Sequence, residues 1–234
     1  MFLIISIDIG EKNLGWTTAR FDKSTDKKFD LKCITFNSGV YDFKQRNVKN
    51  SLVITRILAL QEFFEKIITD EDELFGAVIE RQVGMRNEVA MQLMYSVATI
   101  LLRLTRNIII FDPKRKFLEI GQQYCTKNKA HKKQSIENMK SFINSGILGN
   151  DNKKTLNMCL DISKKKDDIA DSFNQLIIQI IDWNLVKEDI SMAKTIYNNK
   201  IINEEMNEKE DVYENDDLLL SSEKSFSEFA AMDD

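Results

Sequence analysis

The segment Phe2–Ile9, which reads Phe-Leu-Ile-Ile-Ser-Ile-Asp-Ile, decides the fold. It is nearly continuous in apolar and β-branched residues, which predicts a strand covered on both faces. Gly10 and the polar residues that follow it predict a tight turn. Asp8 is unusual in this strand, because an ionised carboxylate in an apolar setting is costly unless it is paired or bound to a metal. A partner such as arginine, lysine or backbone N–H groups would satisfy it equally well.

After this strand, the spacing of apolar residues is first typical of strands and then alternates between helical and strand spacing. Two more strands complete an antiparallel meander, and helices then alternate with strands. The predicted strands cover residues 16–21, 31–40, 75–80 and 107–111, and the predicted helices cover 48–69, 87–106, 131–144 and 168–186. The order β-β-β-α-β-α-β-α predicts an α/β fold, with a mixed five-stranded sheet flanked by helices.

The distribution of charge divides the chain into two parts. The 234 residues are 43% hydrophobic and 30% charged, which suits one domain with or without an appendage. Residues 203–234 contain 12 acidic and 2 basic side chains, whereas residues 1–202 contain 31 basic and 25 acidic ones. We therefore expect a folded, mildly basic domain over 1–202 and an acidic, disordered tail over 203–234.

Several classes of protein are excluded by what the composition lacks. The three cysteines, Cys33, Cys125 and Cys159, are widely spaced and form no Cys-x-x-Cys pair. A reducing, intracellular compartment is the simplest interpretation. The single histidine, His131, argues against Ser-His-Asp catalysis and against a histidine-rich metal site. No apolar run is long enough to cross a membrane, and the first residues lack the basic region of a secretory signal.

Acidic residues recur at the ends of predicted elements. Glu80 follows the apolar run of residues 76–79, and Asp168 and Asp171 share one face at the start of the last helix. Each has an ordinary alternative, because Glu80 could pair with Arg81 and acids in a first turn favour the helix dipole. Together with Asp8 they could converge on one point, where mutual repulsion would raise their pKa values.

Such a cluster of four carboxylates predicts a site for divalent cations. Oxygen ligands alone favour Mg²⁺ or Mn²⁺ over zinc. Two such ions about 4 Å apart activate water and stabilise the leaving oxygen in phosphodiester cleavage. The sequence therefore predicts a two-metal site built by Asp8, Glu80, Asp168 and Asp171.

Basic side chains are concentrated close to these acids in the sequence. Neutralisation of phosphates by such residues would give DNA binding that depends on salt and little on base sequence. A solvated loop is the alternative for a lysine-rich stretch. The candidate DNA-binding residues are Lys114, Arg115, Lys116, Lys127, Lys129, Lys132, Lys133, Lys164, Lys165 and Lys166.

Three motifs together resemble the RuvC-type Holliday junction resolvases, and within them the poxvirus branch. They are Ser6-Ile7-Asp8-Ile9-Gly10 with Asn13-Leu14-Gly15-Trp16, then Val78-Ile79-Glu80-Arg81-Gln82, then Lys166-Asp167-Asp168-Ile169-Ala170-Asp171-Ser172. The similarity spans residues 1–187. The resemblance implies a ribonuclease H-like fold, a homodimer, and Mg²⁺-dependent paired symmetric nicking of four-way DNA junctions. It also implies a role in viral DNA recombination in the host-cell cytoplasm.

The resemblance also assigns roles to individual residues. The family's catalytic, metal-binding acids fall on Asp8, Glu80, Asp168 and Asp171, with Asp167 as an ambiguous neighbour that the three-residue spacing disfavours. A lysine shortly after the fifth strand is typical of the family, and here Lys114 and Lys116 both qualify. The helix over 87–106 would contribute to the dimer interface. The residues that would contact the junction crossover are Arg81, Gln82, Arg86 and Asn87.

Two other functions remain to be compared with a junction nuclease. An actin-like ATPase also begins with an Asp-x-Gly motif, but a second glycine-rich phosphate loop is absent and the chain is short. We therefore expect no nucleotide cofactor. A non-catalytic junction-binding protein would have lost acids from its site, whereas all four are retained here.

Overall fold

Five strands form one mixed sheet in the computed structural model, which describes residues 1–23, 28–43, 53–82, 88–115 and 128–186. The order of the strands across the sheet is β3-β2-β1-β4-β5. Their bounds are β1 (Phe2–Ile9), β2 (Asn13–Phe21), β3 (Thr35–Asp42), β4 (Glu73–Glu80) and β5 (Ile108–Phe111). β1 is antiparallel to β2 and parallel to β4, so it joins the meander to the parallel half of the sheet.

Helices cover both faces of the sheet. α1 (Val53–Ile67) and α2 (Glu88–Leu101) pack on one face, and α3 (Asn128–Asn144), α4 (Asn150–Ile162) and α5 (Lys166–Asp182) pack on the other. Each face of the sheet has its own apolar core. Alternate residues of β1 pack into one core or the other, because successive strand side chains point to opposite faces. Ile4 packs toward α5, whereas Ile5 and Ile7 pack toward α1 and α2. This two-sided burial explains the continuous apolar run of β1.

The structure confirms the predicted α/β class and the mixed five-stranded sheet, and it corrects several bounds. The third strand begins at Thr35, because residues 31–33 form a turn whose Leu31 is nevertheless buried. α4 was not predicted. Residues 203–234, the predicted acidic tail, lie outside the described residues. Among the described helices, none is both long enough and apolar enough to cross a membrane.

Candidate active site

Asp8 and Glu80 lie side by side at one edge of the sheet. β1 and β4 are parallel, and their last register pair is Ile7 with Ile79, so Asp8 and Glu80 occupy the next step. Both side chains are on the face that carries α5, because Ile4 and Val78 in the same alternation contact residues of that helix. The carboxyl ends of parallel strands meet here, where open sheets commonly bind ligands.

Asp171 of α5 joins these two acids. One carboxylate oxygen from each of Asp8, Glu80 and Asp171 lies within 4.8 Å of the other two, and all three residues are half-buried. We call these three residues the acidic cluster. The strand periodicity and the helix spacing were the signals that predicted their convergence, and the structure brings them together as a group that could hold a metal ion.

Asp168 lies one turn before Asp171 and is held by β2. The side-chain amide of Asn13 donates a hydrogen bond to Oδ2 of Asp168. The turn that presents Asn13 is closed by a hydrogen bond from the Gly10 N–H to the Asn13 carbonyl, 2.8 Å long. Asn13 belongs to the first motif, but its sequence position did not reveal this contact.

The electrostatic environment of Asp168 is unfavourable for its charge. Burial raises the pKa of the Asp168 carboxyl, the negative charge of Asp167 raises it further, and the total brings it to about 6. Lys165 and Lys132 oppose this shift, and Asp171 adds to it. Burial is the largest cause of this raised pKa, and a bound cation would favour the charged form of the carboxyl.

Asp167 points to a different partner from Asp168. Its Oδ2 accepts a hydrogen bond from Lys132 Nζ of α3, in an ion pair that leaves 15% of the Asp167 side chain exposed. The Lys132 pKa is raised by this hydrogen bond, although burial opposes it, and the charges of Asp168 and Asp171 raise it further. Lys132 therefore compensates part of the negative charge of the helix.

Lys132 contacts the acid-bearing helix, although the resemblance implied that a lysine after β5, Lys114 or Lys116, would lie near the site. Lys114 is exposed beyond the end of β5, and Lys116 lies outside the described residues. Lys132 had been singled out only as a DNA-binding candidate, yet it contacts the helix that carries the acids. It was missed as a site residue because it lies on a separate helix that packs against α5 only in the tertiary structure.

Ser135 is a second site residue that the sequence did not reveal. It lies one turn after Lys132 on α3, and its Oγ donates a hydrogen bond of 2.5 Å to Oδ1 of Asp171. A single serine in a polar helix carries no recognisable signal. α3 therefore contacts two of the acids of α5, Asp167 through Lys132 and Asp171 through Ser135.

The remaining DNA-binding candidates lie in several surroundings. Arg81 pairs with Asp112 at 2.7 Å, and Arg115 pairs with Asp182 while lying 5.0 Å from the centre of the Phe111 ring. Lys133, Lys164 and Lys165 are exposed, whereas Gln82 and Lys166 are half-buried. The candidates outside the described residues, or with side chains outside them, are Arg86, Asn87, Lys127 and Lys129.

The donor atoms fit a hard divalent cation. The acidic cluster offers carboxylate oxygens alone, which Mg²⁺ and Mn²⁺ prefer over zinc. Asp167 and Asp171 raise the pKa of the Asp168 carboxyl, which is the effect of several negative charges close together. The arrangement defines an α/β protein with a group of carboxylates that could hold a metal ion at one edge of its sheet.

Comparison with known proteins narrows this class. A family profile described as "Poxvirus A22 protein" matches residues 2–183, and the chain therefore belongs to this family, the poxvirus resolvases. The predicted resemblance to the poxvirus branch of RuvC-like resolvases is confirmed, as is the assignment to a family of nucleases. No curated protein matches the sequence.

Solved structures of resolvases are similar to the chain. The fowlpox virus resolvase in complex with Holliday junction DNA is 19% identical, covers 77% of this chain and 97% of its own, and has a TM-score of 0.53. At that identity the match shows a shared fold. The yeast mitochondrial Holliday junction resolvase is 15% identical, with coverage of 84% and 80% and a TM-score of 0.49. Thermus thermophilus RuvC is 10% identical, with coverage of 77% and 96% and a TM-score of 0.41.

Proposed function

We propose that the chain is a Mg²⁺-dependent endonuclease that resolves four-way DNA junctions by paired, symmetric nicks. The observation that carries this proposal is the convergence of Asp8, Glu80 and Asp171, within 4.8 Å of one another, at the carboxyl ends of two parallel strands. Membership of the poxvirus resolvase family supports the substrate. The viral family also supports a role in viral DNA recombination in the host-cell cytoplasm.

In this proposal, the residues that would hold two magnesium ions are the acidic cluster and Asp168. The ions, when bound, supply activation of the attacking water and stabilisation of the leaving oxygen. Asn13 keeps the Asp168 carboxylate directed toward β2, and Lys132 keeps Asp167 paired with α3. Lys132 also places a positive charge close to the site, where it stabilises the negative charge of the phosphate.

Binding of the DNA would use the basic side chains around this edge of the sheet. Lys132 and Lys133 lie in the second turn of α3, and Lys164 and Lys165 are exposed immediately before α5. These two groups flank the helix start that carries Asp168 and Asp171. Contacts of this kind bind phosphates and give affinity that falls steeply with salt.

A homodimer through the α1–α2 face would place two such sites on one junction. Ile54 and Leu58 of α1 and Tyr95 of α2 are between 55% and 63% exposed, although all are large and apolar. A cavity of about 320 Å³ lies between the two helices, lined by residues that include Ile57, Tyr95 and Ile100. An exposed apolar surface of this kind is typical of a protein–protein interface.

Cleavage of a synthetic four-way junction tests the catalytic proposal. With Mg²⁺ we expect two nicks at symmetric positions in opposite strands, and none in EDTA. Asp8→Asn and Asp171→Asn should abolish cleavage while junction binding in Ca²⁺ is retained, because they remove ligands and leave the basic surface intact. Asp161→Asn, an exposed acid at the end of α4, is the matched control. Normal cleavage by either site variant would contradict the proposal.

Sedimentation of the purified protein tests the dimer. We expect a dimer at micromolar concentration, and Tyr95→Glu should convert it to a monomer because a charge would be buried at the interface. Ile162→Glu is the control, since Ile162 is 75% exposed on α4, on the opposite face of the sheet. Equal sedimentation of the wild type and Tyr95→Glu would contradict this interface.

A further inference from the structure

A buried hydroxyl joins α3 to the acidic cluster. Ser135 is 1% exposed, and its Oγ donates to Oδ1 of Asp171 at 2.5 Å. An ionised carboxylate can only accept hydrogen bonds, so the serine proton must point toward Asp171. The short distance is characteristic of a hydrogen bond to a charged oxygen, which is stronger than one between neutral groups.

Asn174 fixes the direction of this hydroxyl. Its Nδ2 donates to both the Oγ and the carbonyl oxygen of Ser135, each at 2.9 Å, and Asn174 is itself only 7% exposed. Because an amide nitrogen can only donate, it occupies an acceptor position of the Ser135 oxygen. The single hydroxyl proton is then left for Asp171. Asn174, Ser135 and Asp171 form a relay in which every donor has a defined direction.

The relay begins and ends on the same helix. Asp171 and Asn174 are three residues apart on α5 and therefore lie on one face, one turn from each other. Ser135 bridges this turn from α3. The relay thus restricts rotation of the Asp171 carboxylate through contacts from two packed helices, and no loop takes part in it. Because Ser135 and Asn174 are buried, the hydrogen bond between them is stronger than it would be in water.

We propose that Ser135 and Asn174 are positioning residues that set the affinity of the acidic cluster for divalent cations. The proposal rests on the proposed function, because it takes Asp171 as a metal ligand. Groups that hydrogen-bond to a ligand orient it and increase its affinity for the metal, and their loss commonly weakens binding by about 10- to 100-fold. Neither residue would contact the DNA or the metal in this role.

Calorimetric titration of the DNA-free protein with Mn²⁺ is the main test. Ser135→Ala should weaken Mn²⁺ binding by about 10-fold, because the Asp171 carboxylate loses a donor and gains rotational freedom. In junction cleavage, the Mg²⁺ concentration for half-maximal rate should rise by a similar factor, while the rate at saturating Mg²⁺ stays within about twofold of wild type. Ser141→Ala, the same change at a half-buried position on the same helix, should alter neither value.

A double-mutant cycle separates the relay from a general effect on folding. Asn174→Leu alone should weaken Mn²⁺ binding by about 3-fold, since the Ser135 hydroxyl is then free to turn away. In the Ser135→Ala background the same change should have no further effect on Mn²⁺ affinity. If Ser135→Ala fails to fold, as judged by circular dichroism in EDTA, the Mn²⁺ affinity of Asn174→Leu tests the relay: a 3-fold loss supports it, and an unchanged affinity overturns it.

The outcomes distinguish this inference from the proposed function. If the wild-type protein binds Mn²⁺ and cleaves a junction, and Ser135→Ala binds Mn²⁺ equally well, the relay alone is overturned. Additive effects in the double variant would also overturn it. Wild-type protein that neither binds Mn²⁺ nor cleaves a junction would overturn both proposals.

Discussion

Gly15 of β2 lies directly beneath the backbone carbonyl of Asp168, so closely that a Cβ atom at position 15 would overlap it. The start of α5 therefore rests on the backbone of β2 and not on a side chain. This contact brings Asp168 and Asp171 down to the edge of the sheet where Asp8 and Glu80 end their strands. The absence of a side chain at Gly15, in the first motif, thus lets the acid-bearing helix approach the sheet closely enough to complete the site.

Gly15→Ala should displace the start of α5. The added methyl group meets backbone, which cannot move without shifting the helix, so we expect a loss of about 2 kcal/mol in unfolding free energy. Mn²⁺ affinity should fall as well, because Asp168 and Asp171 move with the helix. Gly39→Ala is the comparison on β3, since its Cβ would meet the side-chain ring of Trp16 and not a backbone atom. Denaturant unfolding and calorimetry measure both effects, and equal losses in the two variants would contradict this explanation.

Asp168→Asn should stabilise the metal-free protein in a pH-dependent way. The folded pKa of about 6 lies above the ordinary value of 3.8, so the wild-type contribution to stability is present below 3.8 and is lost as pH rises toward 6. In EDTA at pH 7.5 we expect the variant to be more stable than wild type by about 1–2 kcal/mol, allowing for solvent screening.

The same difference should be about half as large at pH 5, where part of the wild-type Asp168 is protonated in the folded state. Urea unfolding at the two pH values measures it, with Asp161→Asn as the control for removal of one negative charge. Mg²⁺ should raise the stability of the wild type more than that of Asp168→Asn. A variant less stable than wild type at pH 7.5 would show that the Asp168 charge is well compensated.

Lys132→Ala should slow cleavage without abolishing it. The change removes the cation that pairs with Asp167 and that also acts on Asp168 and Asp171. We expect the single-turnover rate at saturating enzyme and Mg²⁺ to fall by about 10- to 100-fold. Lys133→Ala is a close control, because Lys133 is 80% exposed and pairs only loosely, at 3.9 Å, with Glu137. Similar rates for the two variants would assign Lys132 to DNA binding alone.

Asp72→Ala should destabilise the fold and leave the chemistry intact. Asp72 accepts hydrogen bonds from Arg20 and from Thr69, and its side chain is only 2% exposed. Burial alone would raise the pKa of Asp72, but the hydrogen bonds and the Arg20 charge outweigh it and hold that pKa below its usual value. Its stabilising contribution is therefore present above pH 3.8 and is lost as pH falls through the lower, folded value.

At pH 7 the loss in Asp72→Ala should be about 3 kcal/mol, because Arg20 is left without its partner. Asp70→Ala, in the same loop but exposed, should cost less than about 0.5 kcal/mol. Thermal unfolding gives both values, and cleavage assays below the unfolding range should show normal rates. Reduced cleavage by folded Asp72→Ala would show that this pair also supports the site.

The sequence allowed the positions of Asp8 and Glu80 to be predicted because strand periodicity is a local property. Alternation over eight residues places a side chain on one face, and parallel strands bring their carboxyl ends to one edge. α4 escaped prediction for the opposite reason. One of its three buried residues is polar, since Asn152 hydrogen-bonds to the Phe36 N–H at 3.0 Å and to the Ile34 carbonyl. Only two buried apolar residues, Leu156 and Leu160, mark the core face of that helix.

The sequence by itself determined the order of the five strands and of the helices other than α4, the acids at their ends and the family to which they point. Tertiary structure alone decided that Asp167 pairs with Lys132, that Asp168 meets Asn13 and that Ser135 holds Asp171. The physical reason is distance along the chain. Local periodicity depends on neighbouring residues, whereas these contacts join residues 35 to 155 positions apart and depend on how α5 is rotated when it packs between β2 and α3.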